Sequence, residues 1–334
     1  MRGETMFYKK LTLVILFLLI FSITVLGCGI IRKKDDVKPT EEDIPELEDE
    51  DTEEDDNTRE TILFYQDDAG YLVPVMRKIQ WEEGIAKATL QQLMDTPEQQ
   101  QALLEMGLKP LLPANTVING ISINDGLAKV DLNAVAMDYP DANSENNMVK
   151  GVVMTLVEFP AIDRVQFLFD GKIVDTLKYG THVGDPIEPG GINLELSPDS
   201  QENGAEVTVF FHNTSSSRYD YLVPITRITS NPSATLETAL EELLKGPKLG
   251  SNLRLDIPEN TKILGIQLDN GITYVNLSKE FEALKDSEHE AMVLKAIGLT
   301  AMQFPEVTNL KILVEGVEYK GNSPLVTPAF ANEY

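Results

Sequence analysis

Residues 112–133 read LPANTVINGISINDGLAKVDLN, and residues 257–278 read IPENTKILGIQLDNGITYVNLS. Aligned without a gap, the two stretches are identical at nine of 22 positions. The identical pairs are Pro113/Pro258, Asn115/Asn260, Thr116/Thr261, Ile118/Ile263, Gly120/Gly265, Ile121/Ile266, Gly126/Gly271, Val130/Val275 and Leu132/Leu277. Two unrelated strands would not share so many positions, and self-similarity of this kind indicates a repeated structural unit. The sequence therefore predicts one domain that occurs twice.

The repeat extends to both sides of this central motif. The further matching segments are YLVPVMR at 71–77 with YLVPITR at 221–227, and VQFLFDG at 165–171 with LKILVEG at 310–316. The copies are 150 residues apart before the central motif (71 to 221) and 145 from it onward (113 to 258). The first copy therefore has five extra residues, which lie between Pro97 and Pro113.

The central motif predicts a β-hairpin in each copy. Alternating apolar residues flank Asn124-Asp125-Gly126 in the first copy and Asp269-Asn270-Gly271 in the second. Asp-Gly and Asn-Gly between such residues are strong signals for a tight hairpin turn. The other shared glycines, Gly120 and Gly265, lie inside a strand and predict a β-bulge or a close approach of two backbones.

Apolar stripes at helical spacing lie on either side of the hairpin and predict two helices in each copy. In the second copy we expect Asn231 to cap the first helix, and Ser287 with Glu290 to form a capping box at the second. Each copy then reads strand-strand-helix-hairpin-helix-strand. We therefore predict an α+β fold, with two tandem copies of a mixed, mostly antiparallel sheet that has two helices packed on one face.

Changes in composition predict the domain boundaries. They are a signal peptide at 1–27, a lipidated cysteine with an acidic disordered tether at 28–59, the first copy at 60–184, a linker at 185–204, the second copy at 205–322 and a loosely held tail at 323–334. Within the linker, residues 192–196 alternate between apolar and polar side chains. This alternation predicts a short strand that pairs at a sheet edge.

The N-terminus has the pattern of a secretory signal. Basic residues precede an uncharged apolar run from Leu11 to Gly27, whether Met1 or Met6 is the start. The run ends in VLGC, which resembles the bacterial lipobox and predicts cleavage before Cys28 and a diacylglycerol group on its thiol. The alternative is an uncleaved single-pass anchor, because such a run almost spans a bilayer. Either reading predicts a chain on the outer face of the bacterial cytoplasmic membrane.

The formal net charge of −26 excludes nucleic acid as the expected partner, since phosphate binding needs a basic surface. Residues 35–56 hold 14 carboxylates against Lys38 alone, so about half of the excess belongs to the predicted tether. Such a run cannot bury enough apolar surface to fold. Cys28 is the single cysteine, so no disulfide forms within the chain.

These features resemble the GerM family of sporulation and germination lipoproteins, whose exported part carries two GerM-N domains. The motif is Pro-x-Asn-Thr, followed by Gly120 or Gly265 and then by Gly-x-x-x-Val-[Asp/Asn]-Leu, and the similarity covers nearly the whole exported chain. The resemblance implies a fold like the ring-building motifs of secretion-system and sporulation-channel proteins, which assemble by packing side by side. It also implies protein partners in an envelope complex between mother cell and forespore, with an older link to germination.

The sequence shows no pattern for catalysis, for a cofactor or for a metal site. It contains no nucleophile elbow, phosphate-binding glycine loop or H-E-x-x-H. His182, His212 and His289 lie at non-equivalent positions of the two copies. The run Glu288-His289-Glu290 contains residue types that could form half of a metal site. We interpret it instead as acidic residues in the first turn of a helix, where negative charge interacts favourably with the helix dipole. We therefore predict a non-enzymatic protein.

The repeated YLVP segment supplies the candidate interface residues. Tyr71 and Tyr221 begin the segment, and Arg77 and Arg227 end it. Each arginine either pairs within its own domain or makes an interface contact, and each tyrosine either packs or stacks on a ligand. A second hypothesis is an extracytoplasmic ligand-binding lipoprotein that uses the cleft between the two domains. A third, a cell-wall hydrolase, needs a carboxylate pair or a metal that the sequence does not place.

Overall fold

The structure is a computed structural model that describes residues 57–196, 200, 204–321, 323 and 328–334. Residues Glu54–Tyr334 form one compact unit. The predicted signal peptide, Cys28 and most of the predicted tether lie outside the described residues.

The first copy has two small sheets and three helices. Its strands are β1 (Thr58–Asp67), β2 (Leu72–Gln80), β3 (Leu108–Lys109), β4 (Ile118–Asn124), β5 (Leu127–Leu132) and β6 (Arg164–Phe169), and its helices are α1 (Ile85–Gln91), α2 (Pro97–Leu104) and α3 (Ala142–Val157). One sheet has the order β2-β1-β3, with antiparallel pairs. The other has the order β4-β5-β6, in which β5 and β6 are parallel.

The second copy repeats this arrangement. Its strands are β8 (Glu206–Thr214), β9 (Asp220–Ile228), β10 (Ile263–Asp269), β11 (Ile272–Leu277), β12 (Leu310–Val314) and β13 (Val317–Glu318), and its helices are α4 (Leu236–Leu244) and α5 (Glu290–Met302). Between the copies lies β7 (Glu195–Leu196), which pairs with β9 in parallel and confirms the short edge strand predicted in the linker. The sheets have the orders β7-β9-β8 and β10-β11-β12-β13.

The predicted α+β fold is confirmed, with mixed sheets and with helices packed against them. Each copy divides its strands between two small sheets, where one sheet was expected. The long helices α3 and α5 pack on β1 and β8 respectively. Buried side chains from both copies form one continuous core, which includes Phe167 from the first and Phe211 from the second.

The two predicted hairpins are confirmed. β4 pairs with β5, and β10 pairs with β11, around two-residue turns. Both central residues of each turn have positive φ, 48° and 75° at Asp125-Gly126 and 50° and 78° at Asn270-Gly271. This is the turn that matches the twist of the strands, and it favours the Asp-Gly and Asn-Gly pairs found in the sequence.

The extra residues of the first copy form part of a helix with no counterpart in the described second copy. α2 begins after Thr96, whose hydroxyl accepts a bond from the Gln99 amide, and Pro97 occupies its first turn. A proline there loses no helical hydrogen bond, and a threonine cap satisfies an N–H that the helix leaves open. The first copy therefore has three helices, one more than predicted.

Both predicted caps in the second copy are wrong. α4 begins at Leu236, and its cap is Thr235 in place of Asn231. α5 begins one residue after His289, and the Glu290 carboxylate accepts bonds from the Tyr319 hydroxyl at 2.6 Å and the Ser323 amide at 3.2 Å. A local sequence pattern cannot show that a distant loop offers the carboxylate other donors.

Candidate functional site

Arg227, at the end of the repeated YLVP segment, is a buried residue of β9. Its guanidinium donates to the backbone oxygens of Glu242 and Gly246, each at 2.7 Å. It also lies 3.4 Å from the Glu195 carboxylate and 5.0 Å from the centre of the Phe211 ring. The planar guanidinium suits this position because it can donate to several acceptors at once.

Arg77, its counterpart in β2, is half-buried and has neutral partners. It donates to the Tyr65 hydroxyl at 3.2 Å and to the Gln99 side-chain oxygen at 3.0 Å. Its guanidinium also lies 5.2 Å from the centre of the Tyr334 ring. Gln99 belongs to helix α2, which the described second copy lacks. Arg77 and Arg227 therefore have different surroundings although they are the same residue at the same place in the repeat. Both arginines bind groups of this same chain.

The two repeated tyrosines connect one copy with the other. The Tyr71 hydroxyl donates to the backbone oxygen of Ser251, at 3.4 Å. The Tyr221 hydroxyl donates to the carboxylate of Asp67, the last residue of β1, at 3.0 Å. Asn213 donates to the same carboxylate at 3.2 Å and to the Tyr221 oxygen at 3.0 Å. The tyrosines therefore mark the junction of the two copies.

Asp67 is a junction residue that the sequence analysis missed. Its side chain accepts bonds from two groups of the second copy and from the Tyr71 amide at 2.8 Å, and the residue is only 1% exposed. Burial raises the pKa of this carboxyl group, and the hydrogen bonds offset part of that effect. Burial and then the charge of Asp67 raise the pKa of the Tyr221 hydroxyl. No motif surrounds Asp67 in the sequence, so only its burial identifies it.

Two asparagines complete the junction in matching ways. Asn193 of the linker accepts from the Leu72 amide and donates to the backbone oxygens of Leu72 and Pro224, each at 2.8 Å. Asn332 of the tail accepts from the Leu222 amide and donates to the backbone oxygens of Leu222 and Pro74, also each at 2.8 Å. The two asparagines therefore bind equivalent residues of opposite copies, because position 72 corresponds to 222 and position 74 to 224. The junction therefore has an approximate twofold symmetry, and we call the space between β2 and β9 the seam.

The tail was predicted to be loosely held, and for its last residues this is wrong. Asn332 is 4% exposed, and its backbone oxygen accepts from the Met76 amide at 2.8 Å. The Tyr334 amide donates to the Met76 oxygen at 3.2 Å. The tail thus adds a short parallel stretch to the edge of β2, as β7 does to β9.

A polar cavity of about 490 Å³ opens at the junction. Its walls include Asn213 and Tyr221, which both bond to the Asp67 carboxylate, together with Asn252 and Arg254. Amide, hydroxyl and guanidinium groups in one concave space can recognise a small polar molecule.

The structure brings two of the three histidines close to one carboxylate. His212, which is 6% exposed, lies 3.0 Å from Asp220 and 3.4 Å from Asp256, and His289 lies 3.7 Å from Asp256. His182 is elsewhere and pairs with Asp185 at 3.0 Å. In the described part of the chain, no group of three or more His, Cys, Asp or Glu side chains is arranged to hold a metal ion.

The four repeated glycines divide into two kinds. The pairing register shifts at Gly120 and at Gly265, which is the expected β-bulge, and a Cβ on either would meet nothing within 4 Å. Gly126 and Gly271 have positive φ in the hairpin turns. At Gly126 a Cβ would also collide with the Asp163 carboxylate. Only the turn glycines are therefore required by the backbone conformation.

Glu145 is a second buried carboxylate that the sequence analysis missed. Its carboxylate accepts from the amides of Tyr179 and Thr181, at 2.9 and 3.1 Å. Glu290 holds the corresponding place in the second copy, 145 residues later, and binds the loop after β13. The identical glutamate at this spacing was the signal that could have found the pair.

Of the helices that the structure describes, none is both long and apolar enough to cross a membrane. Cys28 is outside that part of the chain.

Comparisons with known proteins agree with the duplication. The family described as Germane, sporulation and spore germination, matches residues 62–175 and again residues 208–320. The chain is 26% identical over 281 residues to the spore germination protein GerM of Bacillus subtilis strain 168, which covers 81% of this chain and 76% of the relative. The solved tandem GerMN domains of the B. subtilis sporulation protein GerM superpose with a TM-score of 0.69 at 26% identity, over 83% of this chain and 99% of that one. Because the two family matches together span more than half of its length, the chain belongs to the Germane family.

Proposed function

We propose that this protein is a non-enzymatic, lipid-anchored envelope protein that assembles or supports a multiprotein complex in spore formation or germination. The family, and the similarity to a spore germination protein of B. subtilis, support the cellular setting. The observation that carries the mode of action is a pair of exposed hairpins. β4 and β10 are edge strands of their sheets, and their backbone groups are available for pairing along one side.

The hairpin of the second copy presents the more apolar surface. Leu264 and Leu268 of β10 are 48% and 57% exposed, and Ile123 of β4, at the position that corresponds to Leu268, is 44% exposed. Large apolar side chains on an open strand edge favour a protein partner, which can cover the side chains and pair with the strand. We propose that these hairpins, in the two ring-building-like domains, form the surfaces through which the complex assembles.

A crosslinking experiment tests this surface in sporulating cells. A photo-crosslinking amino acid at Leu268 is expected to capture a defined partner, whereas one at Leu249, which is fully exposed on a turn, is not. A deletion strain should form defective spores, and the chain carrying Leu264→Glu and Leu268→Glu should fold but fail to restore them. Normal spores in the deletion strain, together with equal labelling at both sites, would contradict the proposal.

We further propose that the chain is held on the outer face of the cytoplasmic membrane by a lipid on Cys28. The lipobox-like VLGC sequence supports this anchor. Cells fed a labelled fatty acid should incorporate it into the chain, and Cys28→Ala should abolish the label and leave residues 1–27 attached, because a chain without the thiol is neither lipidated nor cleaved at that point. A wild-type chain that takes up no label and keeps residues 1–27 would favour the uncleaved anchor instead.

The polar cavity at the junction supports a second candidate, an extracytoplasmic ligand-binding lipoprotein. Arg254 and Asn252 lie on the cavity wall beside Asn213 and the buried Tyr221. A small polar ligand, such as a cell-wall fragment, should raise the melting temperature in a saturable way. Arg254→Ala should reduce that shift. A melting temperature that does not change with any such fragment would remove this candidate.

A further inference from the structure

The edge of β2 is a strand-accepting site that the tail of the same chain occupies. The tail is held there by the backbone bonds of Met76 with Asn332 and Tyr334, and by the Asn332 side chain, which joins Pro74 to Leu222. Asn332 is the one tail side chain in these bonds, and the Tyr219 hydroxyl adds a further bond to the Glu333 backbone oxygen at 3.0 Å. Backbone bonds of this kind do not depend on the side chains of the added strand, so other extended segments can form them as well.

The apolar side of this site is incompletely filled. The linker carries Ile192 directly before its asparagine, and this side chain is buried against Phe64 and Leu72. The tail carries only Ala331 at the matching place, where it packs against Leu222 and Leu299.

An apolar cavity of about 420 Å³ lies next to the alanine. Its walls come from both copies and from both segments of the seam, and they include Phe64, Phe210, Ile192 and Ala331. The cavity is within the size range of protein pockets that bind ligands, and its lining is mostly apolar.

We propose that the β2 edge and this cavity form a docking site for an extended segment of a partner protein, which carries a large aliphatic residue directly before an asparagine. The asparagine takes the place of Asn332, and the aliphatic side chain enters the cavity that Ala331 leaves open. The tail of the chain holds the site until the partner segment displaces it. The matched segment at β9 shows the required pattern, because it has an isoleucine where the tail has an alanine.

The tail sequence binds the site weakly, and its attachment to the chain offsets part of this weakness. Ala331 buries three carbon groups fewer than an isoleucine, which makes binding of the tail sequence about fifty-fold weaker than that of an isoleucine-containing segment. Its attachment to the chain raises its effective concentration, which compensates in part and keeps the site closed when the partner is absent. The inference goes beyond the proposed function, because it concerns the seam and holds whichever complex the exposed hairpins join.

Labelled peptides test the site on residues 54–334, the compact unit of the chain. One peptide has the sequence of residues 328–334, the second carries Ala331→Ile, and the third carries Ala331→Ile with Asn332→Ala. Fluorescence anisotropy should show saturable binding of the second peptide, about fifty-fold tighter than the first. The third should lose most of this affinity. A chain that itself carries Ala331→Ile should bind the second peptide at least about tenfold more weakly, because its own tail then fills the cavity.

Three outcomes would overturn the proposal. The second peptide fails to bind, or the second and third peptides bind equally well, or the Ala331→Ile chain binds as tightly as the unchanged one. Sedimentation of the chain alone provides a separate check. A dimer that dissociates when the second peptide is added would assign the site to a second copy of the chain, and would overturn the assignment to a different partner.

Discussion

Arg77 and Arg227 occupy the same place in the two copies but differ in burial, and we predict that they contribute very unequally to stability. Arg227 is 3% exposed and bonds two backbone oxygens and a carboxylate, whereas Arg77 is half-buried and bonds two neutral side chains. The pair is therefore an internal control, since the residue and the strand position are the same and only the surroundings change.

The expected magnitudes follow from these contacts. Arg227→Ala removes a buried cation and leaves the oxygens of Glu242 and Gly246 without it, and loss of such a partner costs about 3–5 kcal/mol. Arg77→Ala removes two bonds that water can partly replace, which costs about 1 kcal/mol. Arg227→Lys keeps the charge but cannot reach three acceptors at once, so we expect a loss of about 1–3 kcal/mol.

Urea denaturation of residues 54–334 measures these differences. The free energy of unfolding should fall in the order wild type, Arg77→Ala, Arg227→Lys, Arg227→Ala, with melting temperatures that fall by about 2–4 °C for each kcal/mol. Equal losses for the two alanine variants, within about 0.5 kcal/mol, would refute the reasoning from burial. Full stability of Arg227→Lys would refute the role given to the guanidinium geometry.

Three further predictions concern buried carboxylates and turn glycines. Because burial raises the pKa of Asp67, the stability linked to this group is complete below its unfolded pKa and is lost as the pH rises through the folded pKa. Wild type should therefore gain stability relative to Asp67→Asn as the pH falls from about 7 to about 4, and a pH-independent difference would contradict this. Gly126→Ala should cost about 1–3 kcal/mol, because its φ is positive and a Cβ would meet Asp163, whereas Gly120→Ala should change stability by less than about 0.5 kcal/mol. Glu145→Gln should cost about 1–3 kcal/mol and speed hydrogen exchange at the loop amides that it holds, and unchanged exchange would show that the carboxylate is not needed there.

The duplicated hairpins could be predicted from the sequence because their determinants are local. Asp125-Gly126 and Asn270-Gly271 set the turn, and the alternating residues on either side set the register. The short strand β7 was found in the same way, from alternation within the linker. The failed cap at Ser287 shows the limit, since the Glu290 carboxylate binds a loop about 30 residues away.

The junction could not be predicted because its contacts join residues far apart in the sequence. Asp67 and Tyr221 are 154 positions apart, and Asn332 bonds Pro74 across 258 positions. The two asparagines also escape the repeat alignment, because they are 139 residues apart (193 to 332) while the neighbouring elements are 145 or 150 apart. The segments around Asn193 and Asn332 share only this one residue and do not follow the repeat spacing, so a sequence alignment cannot distinguish their similarity from chance.

The exchange of segments at the seam explains why the two copies form one compact unit. The linker follows the first copy but pairs with β9 of the second, and the tail follows the second copy but pairs with β2 of the first. Each edge strand is therefore completed by a segment that the other copy supplies, and neither copy can lose its neighbour without exposing unpaired backbone groups. The same exchange uses the edges of β2 and β9 and leaves those of β4 and β10 open. Duplication with exchange thus closes the edges of β2 and β9 with segments of the chain itself, and in the described part of the chain it leaves the edges of β4 and β10 without a paired strand.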